Sequence, residues 1–213
     1  MALYLDSADI NDIRRAVALG FVSGVTTNPA LVAKTGRPGL DVLREILELT
    51  DGKVWFQVTA DDLEDRAQQA RKIFSLAPDR VQVKIGATTE NIALGARLSQ
   101  EGMAVTITAV SSAAQAYLAS QAGAAYVAPY VNRLTRQLGD GVAILHECTE
   151  VCRGTKTRII AASLKSPDEV TAVILAGAND VTLPLDLLLA MGDHPLSQQA
   201  IDDFAKAAKG KTE

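Results

Sequence analysis

The chain has 213 residues, of which 48% are hydrophobic, and this size and apolar content fit one domain over 1–213 with a single substantial core. A net charge of −4, with 21 Lys and Arg spread along the chain, disfavours a nucleic-acid-binding protein. The N-terminus lacks a signal-peptide pattern and no apolar run approaches the roughly 18 residues that cross a bilayer, so we expect a cytoplasmic protein without a membrane partner.

Short β-rich runs alternate with longer helical segments along the chain. Eight strands are predicted, over 3–6, 22–28, 53–58, 80–85, 103–109, 124–130, 157–163 and 180–185. Apolar residues recur with helical periodicity between them, for example over 38–50, 60–76 and 88–101, and 195–209 forms a further amphipathic helix. Eight units of about 27 residues predict an α/β fold, a single (β/α)8 TIM barrel with an extra C-terminal helix. An open doubly wound sheet is the alternative, but neither GxGxxG nor GxxxxGKS/T follows a strand.

Polar side chains stand at the ends of seven of the eight predicted strands. In strand order these are Asp6, Asn28, Gln57, Lys84, Thr108, Tyr130 and Ser163. Any one of them is explained by the contact of a strand end with water. In a barrel, however, the carboxyl ends of all strands meet at one mouth, where catalytic groups lie. Together these residues therefore predict one site for a small ligand.

Lys84 closes the run "RVQVKI", which otherwise resembles a buried strand. Because side chains alternate along a strand, Gln82 and Lys84 share one face while Val81 and Val83 take the other. The apolar face belongs against the helices, so we expect Lys84 to point into the barrel. A dry enclosure favours an uncharged amine, which is a nucleophile, and this suggests a Schiff-base lysine. The alternative is a lysine whose stem lies along the barrel while its head reaches solvent.

Six motifs in order along the chain resemble the transaldolase family. They are "YLDSAD" at 4–9, "GVTTNPALV" at 24–32, "VQVKI" at 81–85, "AAYVAPYVNR" at 124–133, "AASLKSP" at 161–167 and "DVTLPLDLL" at 180–188. The resemblance is to the small-subunit branch, and within it to the fructose-6-phosphate aldolases. It implies a (β/α)8 barrel that acts on small sugar phosphates by class I aldolase chemistry, with a covalent Schiff base and neither metal nor cofactor.

The same resemblance assigns roles to individual residues. Lys84 matches the Schiff-base lysine, and Asp6 matches the carboxylate that transfers protons during carbinolamine formation. Asn28 would hold a hydroxyl of the ketose, and Thr108 would line the pocket near the catalytic water. A dry pocket must satisfy the hydroxyls of a dihydroxyacetone unit with polar groups of this kind.

Two positions separate the aldolase branch from the transaldolases proper. Transaldolases resemble one another in having glutamate at the end of strand three and phenylalanine after the proline of strand six, where this chain has Gln57 and Tyr130. A glutamate can act as a base whereas glutamine cannot take a proton, and Tyr130 supplies a phenol that can hold the water. The resemblance therefore favours reversible cleavage of fructose 6-phosphate. The alternative is a transaldolase that moves a dihydroxyacetone unit from sedoheptulose 7-phosphate to glyceraldehyde 3-phosphate.

Candidate phosphate ligands follow strands six and seven. Arg133 lies in "VNR", and Ser163 and Lys165 lie in "ASLK", just before a helix for which Ser166 is a capping residue. Barrels commonly bind phosphate in their last loops with help from a helix N-terminus. The resemblance supports Arg133 and Ser163. Lys165 is a weaker candidate, because a loop lysine is often only a solvated charge.

Other features bear on the class of protein. Two histidines, His146 and His194, lie away from strand ends and disfavour a metal-dependent aldolase, while Cys148 and Cys152 are interpreted as reduced thiols. A non-catalytic sugar-phosphate-binding barrel remains an alternative. The chain departs from the family at Gly86, where relatives carry proline after the lysine strand, and this predicts a looser loop.

Self-association is a further expectation from the resemblance. The family suggests that the helix over 195–209 reaches a neighbouring subunit, giving a homo-oligomer, a decamer of two pentameric rings. The alternative is that this helix packs on its own barrel.

Overall fold

Eight parallel strands close into a barrel in the computed structural model, which describes residues 1–209. The strands pair in chain order and β8 returns to pair with β1. They are β1 (Ala2–Asp6), β2 (Gly24–Thr26), β3 (Lys53–Gln57), β4 (Val81–Gly86), β5 (Val105–Val110), β6 (Tyr126–Pro129), β7 (Arg158–Ala161) and β8 (Asp180–Leu183). The predicted barrel is confirmed, and the open-sheet alternative is wrong.

Helices follow every strand on the outside of the barrel. They are α1 (Ile10–Ala18), α2 (Pro29–Lys34), α3 (Gly39–Leu49), α4 (Leu63–Phe74), α5 (Thr89–Gln100), α6 (Ala113–Gln121), α7 (Val131–Leu138), α8 (Gly141–Val151), α9 (Pro167–Leu175), α10 (Leu185–Ala190) and α11 (Pro195–Lys209). The predicted C-terminal helix matches α11. None of the helices in 1–209 is long and apolar enough to span a bilayer.

The predicted second strand is too long at both ends. The sequence pattern predicts a strand over 22–28, whereas β2 covers only Gly24–Thr26. Asn28 is instead the N-cap of α2, where its Oδ1 accepts a hydrogen bond from the Leu31 N–H at 3.0 Å, and Pro29 occupies the first helical turn. Proline cannot donate to a neighbouring strand and suits the start of a helix, so the chain leaves the barrel here.

Two apolar layers enclose the strands. The outward faces, such as Val81, Val83 and Ile85 on β4, are completely buried against the helices. Inside the barrel lies a smaller cluster in which the Trp55 ring makes edge contacts with Tyr4 at 4.6 Å and Tyr126 at 5.2 Å between centroids. Trp55 of this cluster forms part of the floor of the site described below.

Candidate active site

A cavity of about 150 Å³ opens at the carboxyl ends of the strands. Seven of the nine predicted site residues line it: Asp6, Asn28, Lys84, Tyr130, Arg133, Ser163 and Lys165. The remaining two, Gln57 and Thr108, lie beside it and are described below. The barrel therefore brings together residues that the sequence separates by up to 159 positions.

Lys84 enters this cavity from β4. Its Cα is in register with Gln57 on β3 and with Thr106 on β5, so its side chain shares their inward face. The residue is only 6% exposed, and its Nζ donates a hydrogen bond to the backbone carbonyl of Thr27 at 2.8 Å. The inward orientation is thus confirmed, and the alternative of a head in bulk solvent is wrong. The Thr27 carbonyl is a neutral acceptor, so the amine can leave it and turn toward a ligand.

Asp6 faces the same cavity from the end of β1. Its Oδ1 accepts a hydrogen bond from Thr26 Oγ1 at 2.8 Å. Burial raises the pKa of Asp6, while attraction to Lys84, the Thr26 bond and attraction to Lys165 act in the opposite direction. Because burial prevails, the carboxyl group retains a proton at higher pH than an ordinary aspartate and can deliver it to a bound molecule.

Tyr130 lies one residue beyond β6, on the far side of the cavity. Its Oη accepts a hydrogen bond from the Thr108 hydroxyl at 3.0 Å, which leaves the phenol proton for another acceptor. The Arg133 guanidinium stacks on its ring, 4.7 Å from the centroid. Thr108 is completely buried, and so it positions Tyr130 from behind and does not itself line the cavity.

Gln57 lines an adjacent groove of about 650 Å³. This groove lies between the start of α2, the start of α3 and one face of α4, and Asn28 borders both spaces. The Gln57 Oε1 is buried and has no hydrogen-bond partner within residues 1–209. An orphaned buried acceptor of this kind is commonly satisfied by an ordered water.

The rim of the cavity is basic. Arg133 and Lys165 are exposed there. The backbone N–H of Lys165 donates a hydrogen bond to the Glu169 carboxylate at 2.7 Å. Ser163 lies between them with φ = 61°, a left-handed conformation that is unusual for a residue other than glycine. Ser166 caps α9 by accepting from the Glu169 N–H at 3.1 Å, as its sequence pattern predicts.

Of the seven residues that line the cavity but were not predicted as site residues, four carry a polar side-chain group. They are Thr26, Trp55, Thr106 and Thr182. Trp55 Nε1 donates to Thr106 Oγ1 at 2.9 Å, and Thr26 Oγ1 lies 2.7 Å from Thr182 Oγ1. Strand periodicity could have identified the first three, since Thr26 is in register with Asp6, Thr106 is in register with Lys84, and Trp55 lies two residues before Gln57. Thr182 is in register with Tyr4, one layer deeper.

The cysteines lie outside the site. Cys148 and Cys152 are buried free thiols on the outer side of the barrel, and burial raises the pKa of Cys148 to about 12. Within residues 1–209, no group of three or more His, Cys, Asp or Glu side chains could hold a metal ion.

The chain matches a known protein family over nearly its whole length. Residues 3–213 match the family described as Transaldolase/Fructose-6-phosphate aldolase. A probable transaldolase of Symbiobacterium thermophilum is 40% identical over 216 residues, covering 99% of this chain and 100% of its own. A probable transaldolase of Heliobacterium modesticaldum is 41% identical over 208 residues, covering 97% of this chain and 96% of its own.

Solved structures with lower identity support the fold alone. A thiamine phosphate pyrophosphorylase from Pyrococcus furiosus has a TM-score of 0.59 at 16% identity, covering 86% of this chain and 85% of its own. A mandelate oxidase mutant has a TM-score of 0.64 at 15% identity, covering 86% of this chain and 65% of its own.

Proposed function

This chain is an enzyme of the transaldolase and fructose-6-phosphate aldolase family, and from that premise we propose that Lys84 forms a Schiff base with the carbonyl of a phosphorylated ketose. The observation that carries this proposal is the burial of the Lys84 amine in a cavity shared with Asp6 and Tyr130. A covalent iminium supplies the electron sink, so the reaction needs no other cofactor. The proposed sugar-phosphate substrates favour a cytoplasmic enzyme.

The first half of the reaction belongs to Lys84 and Asp6. The neutral amine attacks C2 of the ketose and forms a carbinolamine. Asp6 in its protonated form then gives its proton to the carbinolamine hydroxyl, water leaves, and the iminium remains on Lys84. The raised pKa of Asp6 supports this role, because a general acid must hold its proton near the working pH. Asn28, whose Oδ1 is engaged with Leu31, offers its amide NH2 to a hydroxyl of the ketose.

The second half is cleavage of the C3–C4 bond. Tyr130 takes the proton of the C4 hydroxyl as it passes its own phenol proton to a water held with Gln57 and Thr108, and from that water the proton goes to solvent. The Thr108–Tyr130 hydrogen bond and the orphaned Gln57 Oε1 support this assignment. The electron pair of the broken bond passes into the iminium, giving an enamine on Lys84 and a released aldehyde. Arg133, Ser163 and Lys165 bind the phosphate of that aldehyde at the rim.

The fate of the enamine separates two candidate functions. Release of dihydroxyacetone to water makes the protein a fructose-6-phosphate aldolase, and Gln57 and Tyr130 support this candidate. Transfer of the same unit to an aldehyde acceptor makes it a transaldolase, and the relatives described as probable transaldolases favour this second candidate. The relatives described as probable transaldolases therefore favour the transfer reaction, whereas Gln57 and Tyr130 support the cleavage reaction.

Borohydride reduction tests the shared chemistry. With fructose 6-phosphate or dihydroxyacetone present, we expect a stable adduct that peptide mapping locates on Lys84 and that Lys84→Met does not form. A folded wild-type protein without an adduct anywhere would contradict the mechanism. The product of fructose 6-phosphate turnover then decides between candidates: free dihydroxyacetone indicates the aldolase, and turnover of sedoheptulose 7-phosphate only with glyceraldehyde 3-phosphate present indicates the transaldolase. Both activities should survive dialysis against EDTA.

We also propose that α11 mediates self-association, as a decamer of two pentameric rings. The helix has no buried residue and exposes Leu196, Ile201 and Phe204 at 68%, 58% and 72%. Large exposed apolar side chains clustered on one helix are typical of an interaction surface. Truncation after Gly192 should reduce the size measured by light scattering, and an unchanged size would refute a role for α11.

A further inference from the structure

A chain of two threonine hydroxyls leads to Asp6 from the opposite side of β1. Thr26 lies on β2 and Thr182 on β8, and these strands are separated by β1 in the barrel. Their Oγ1 atoms are nevertheless 2.7 Å apart, and Thr26 Oγ1 is 2.8 Å from Asp6 Oδ1. Because Thr182 is in register with Tyr4, two residues before Asp6, the contact crosses the inner face of β1 beneath the carboxylate.

The direction of this chain follows from the number of protons available. A hydroxyl donates one hydrogen bond and accepts up to two, whereas an ionised carboxylate only accepts. When Asp6 is ionised, the Thr26 hydroxyl uses its single hydrogen to donate to the carboxylate. The Thr182 hydroxyl must then be the donor of the hydrogen bond between the two threonines. The chain then runs from Thr182 through Thr26 to Asp6. When Asp6 is protonated on Oδ1, it can donate to Thr26 instead, and both threonine hydroxyls can turn the other way.

The location of the two threonines makes a purely structural explanation insufficient. Both side chains are 3% exposed and line the cavity that contains Lys84. Valine has a similar shape and an equal preference for strands, and it carries no polar atom into a buried site. Threonine at both positions therefore adds hydroxyls whose hydrogen bonds lead to a group in the proposed mechanism.

We propose that Thr182 is a positioning residue for the reaction, which acts through Thr26 to orient Asp6 and to follow its change of charge by reversing the direction of the hydroxyl chain. This inference rests on the proposed function of Asp6 as the acid of carbinolamine dehydration. In that step the carbinolamine C–O bond breaks, its oxygen takes the Asp6 proton, and water departs. The carboxylate left behind is stabilised at once, because Thr26 and Thr182 need only rotate their hydroxyls.

Other charges also act on Asp6 and must be separated from the hydroxyl chain. Lys84 on β4 and Lys165 after β7 attract the carboxylate whenever they carry a proton. Further titratable or charged groups lie at the same mouth or one layer deeper: Tyr130, Arg133, Tyr4, Arg158 and Asp180. Substitution of a threonine leaves all of them in place, so a change in the Asp6 titration reports the hydrogen-bond chain.

Infrared difference spectroscopy of the ligand-free protein tests this inference. The protonated-carboxyl band that is present in the wild type and missing in Asp6→Asn gives the Asp6 titration directly. Loss of a hydrogen bond that favours the ionised form raises a carboxyl pKa, so we expect Thr182→Val to move the titration upward by about 0.5 to 1 pH unit and Thr26→Val by about 1 to 2. Thr182→Ser keeps the hydroxyl group, so its Asp6 should titrate as in the wild type.

A double-mutant cycle tests whether Thr182 acts through Thr26. If it does, Thr26→Val/Thr182→Val should titrate like Thr26→Val alone, whereas additive shifts would overturn the proposal. Thr106→Val is the matched control, because Thr106 is an equally buried cavity threonine bonded to Trp55, and it should leave the Asp6 titration in place. Should Thr182→Val fail to fold by circular dichroism, Thr182→Ala removes the same hydroxyl.

Failure of this inference is distinguishable from failure of the proposed function. An unmoved Asp6 titration in folded Thr182→Val overturns the hydroxyl chain, whether or not borohydride traps an adduct on Lys84. A missing adduct overturns the Schiff-base function, and the infrared titration of the ligand-free protein still decides the role of Thr182.

Discussion

Ser163 combines a backbone conformation that is unfavourable for serine with a position at the proposed phosphate site. Its φ of 61° lies in the left-handed region, where a side chain other than that of glycine costs about 1 to 2 kcal/mol. The other residue of this kind in 1–209 is Ala109, with φ = 57°, at the irregularity in β5. Ala109 is exposed and does not line the cavity, so it is a matched control.

Replacement of either residue by glycine should relieve the same strain. Glycine also gains entropy in the unfolded chain, which offsets about 0.4 to 1 kcal/mol of the relief. The expected net stabilisation is therefore about 0.5 to 1 kcal/mol for Ser163→Gly and for Ala109→Gly, or a rise in Tm of about 1 to 4 °C for a domain of this size. Thermal unfolding followed by circular dichroism measures it.

Only the serine variant should lose affinity for phosphate. A hydrogen bond to a charged group contributes about 1.5 to 3 kcal/mol, so Ser163→Gly should raise KM for glyceraldehyde 3-phosphate about 10- to 100-fold. KM for unphosphorylated glyceraldehyde should not change, and Ala109→Gly should affect neither. A serine variant that keeps its KM for the phosphorylated aldehyde would refute the phosphate role. A Ser163→Gly variant that unfolds at a lower temperature than the wild type would refute the argument from backbone strain.

Three further predictions concern the cavity and its surroundings. Burial raises the pKa of Asp6, so the stability that this carboxyl group contributes is present below its ordinary pKa of 3.8 and is lost as pH rises through the folded-state pKa. The Tm of Asp6→Asn minus the Tm of the wild type should therefore increase between about pH 3 and pH 8. A difference that does not change with pH would contradict the raised pKa. Tyr130→Phe should slow C3–C4 cleavage about 100-fold or more and still allow the borohydride adduct, whereas loss of the adduct would assign Tyr130 to an earlier step. Gly86→Ala should stabilise the fold by about 0.5 to 1 kcal/mol, since a Cβ there would meet only the Asn91 amide nitrogen at 4.0 Å; a lower Tm would show that the free backbone is needed.

The barrel and most of the candidate site could be predicted from local pattern. Alternation along "RVQVKI" decided which face of β4 carries Lys84, because successive side chains of a strand point to opposite sides. The same rule, together with the convergence of strand ends, brought Asp6 and Tyr130 into one cavity. The predicted end of the second strand at Asn28 was wrong, because Asn28 before Pro29 caps a helix and the strand ends earlier.

The deeper site depended on contacts that no local pattern contains. The hydroxyl chain from Thr182 to Asp6 joins residues 176 positions apart, and its bond between Thr182 and Thr26 crosses β1, which lies between their two strands. Gln57 follows the alternation rule, yet it lines the neighbouring groove, which α2, α3 and α4 also border. Periodicity along the chain was enough to predict eight strands, their inward faces and the lysine among them, because each of these depends on the alternation of neighbouring residues. Only the folded chain shows which hydroxyls meet, and that the Gln57 and Gln82 amide oxygens have no hydrogen-bond partner within residues 1–209, because hydrogen bonds of about 3 Å depend on the closure of the whole barrel.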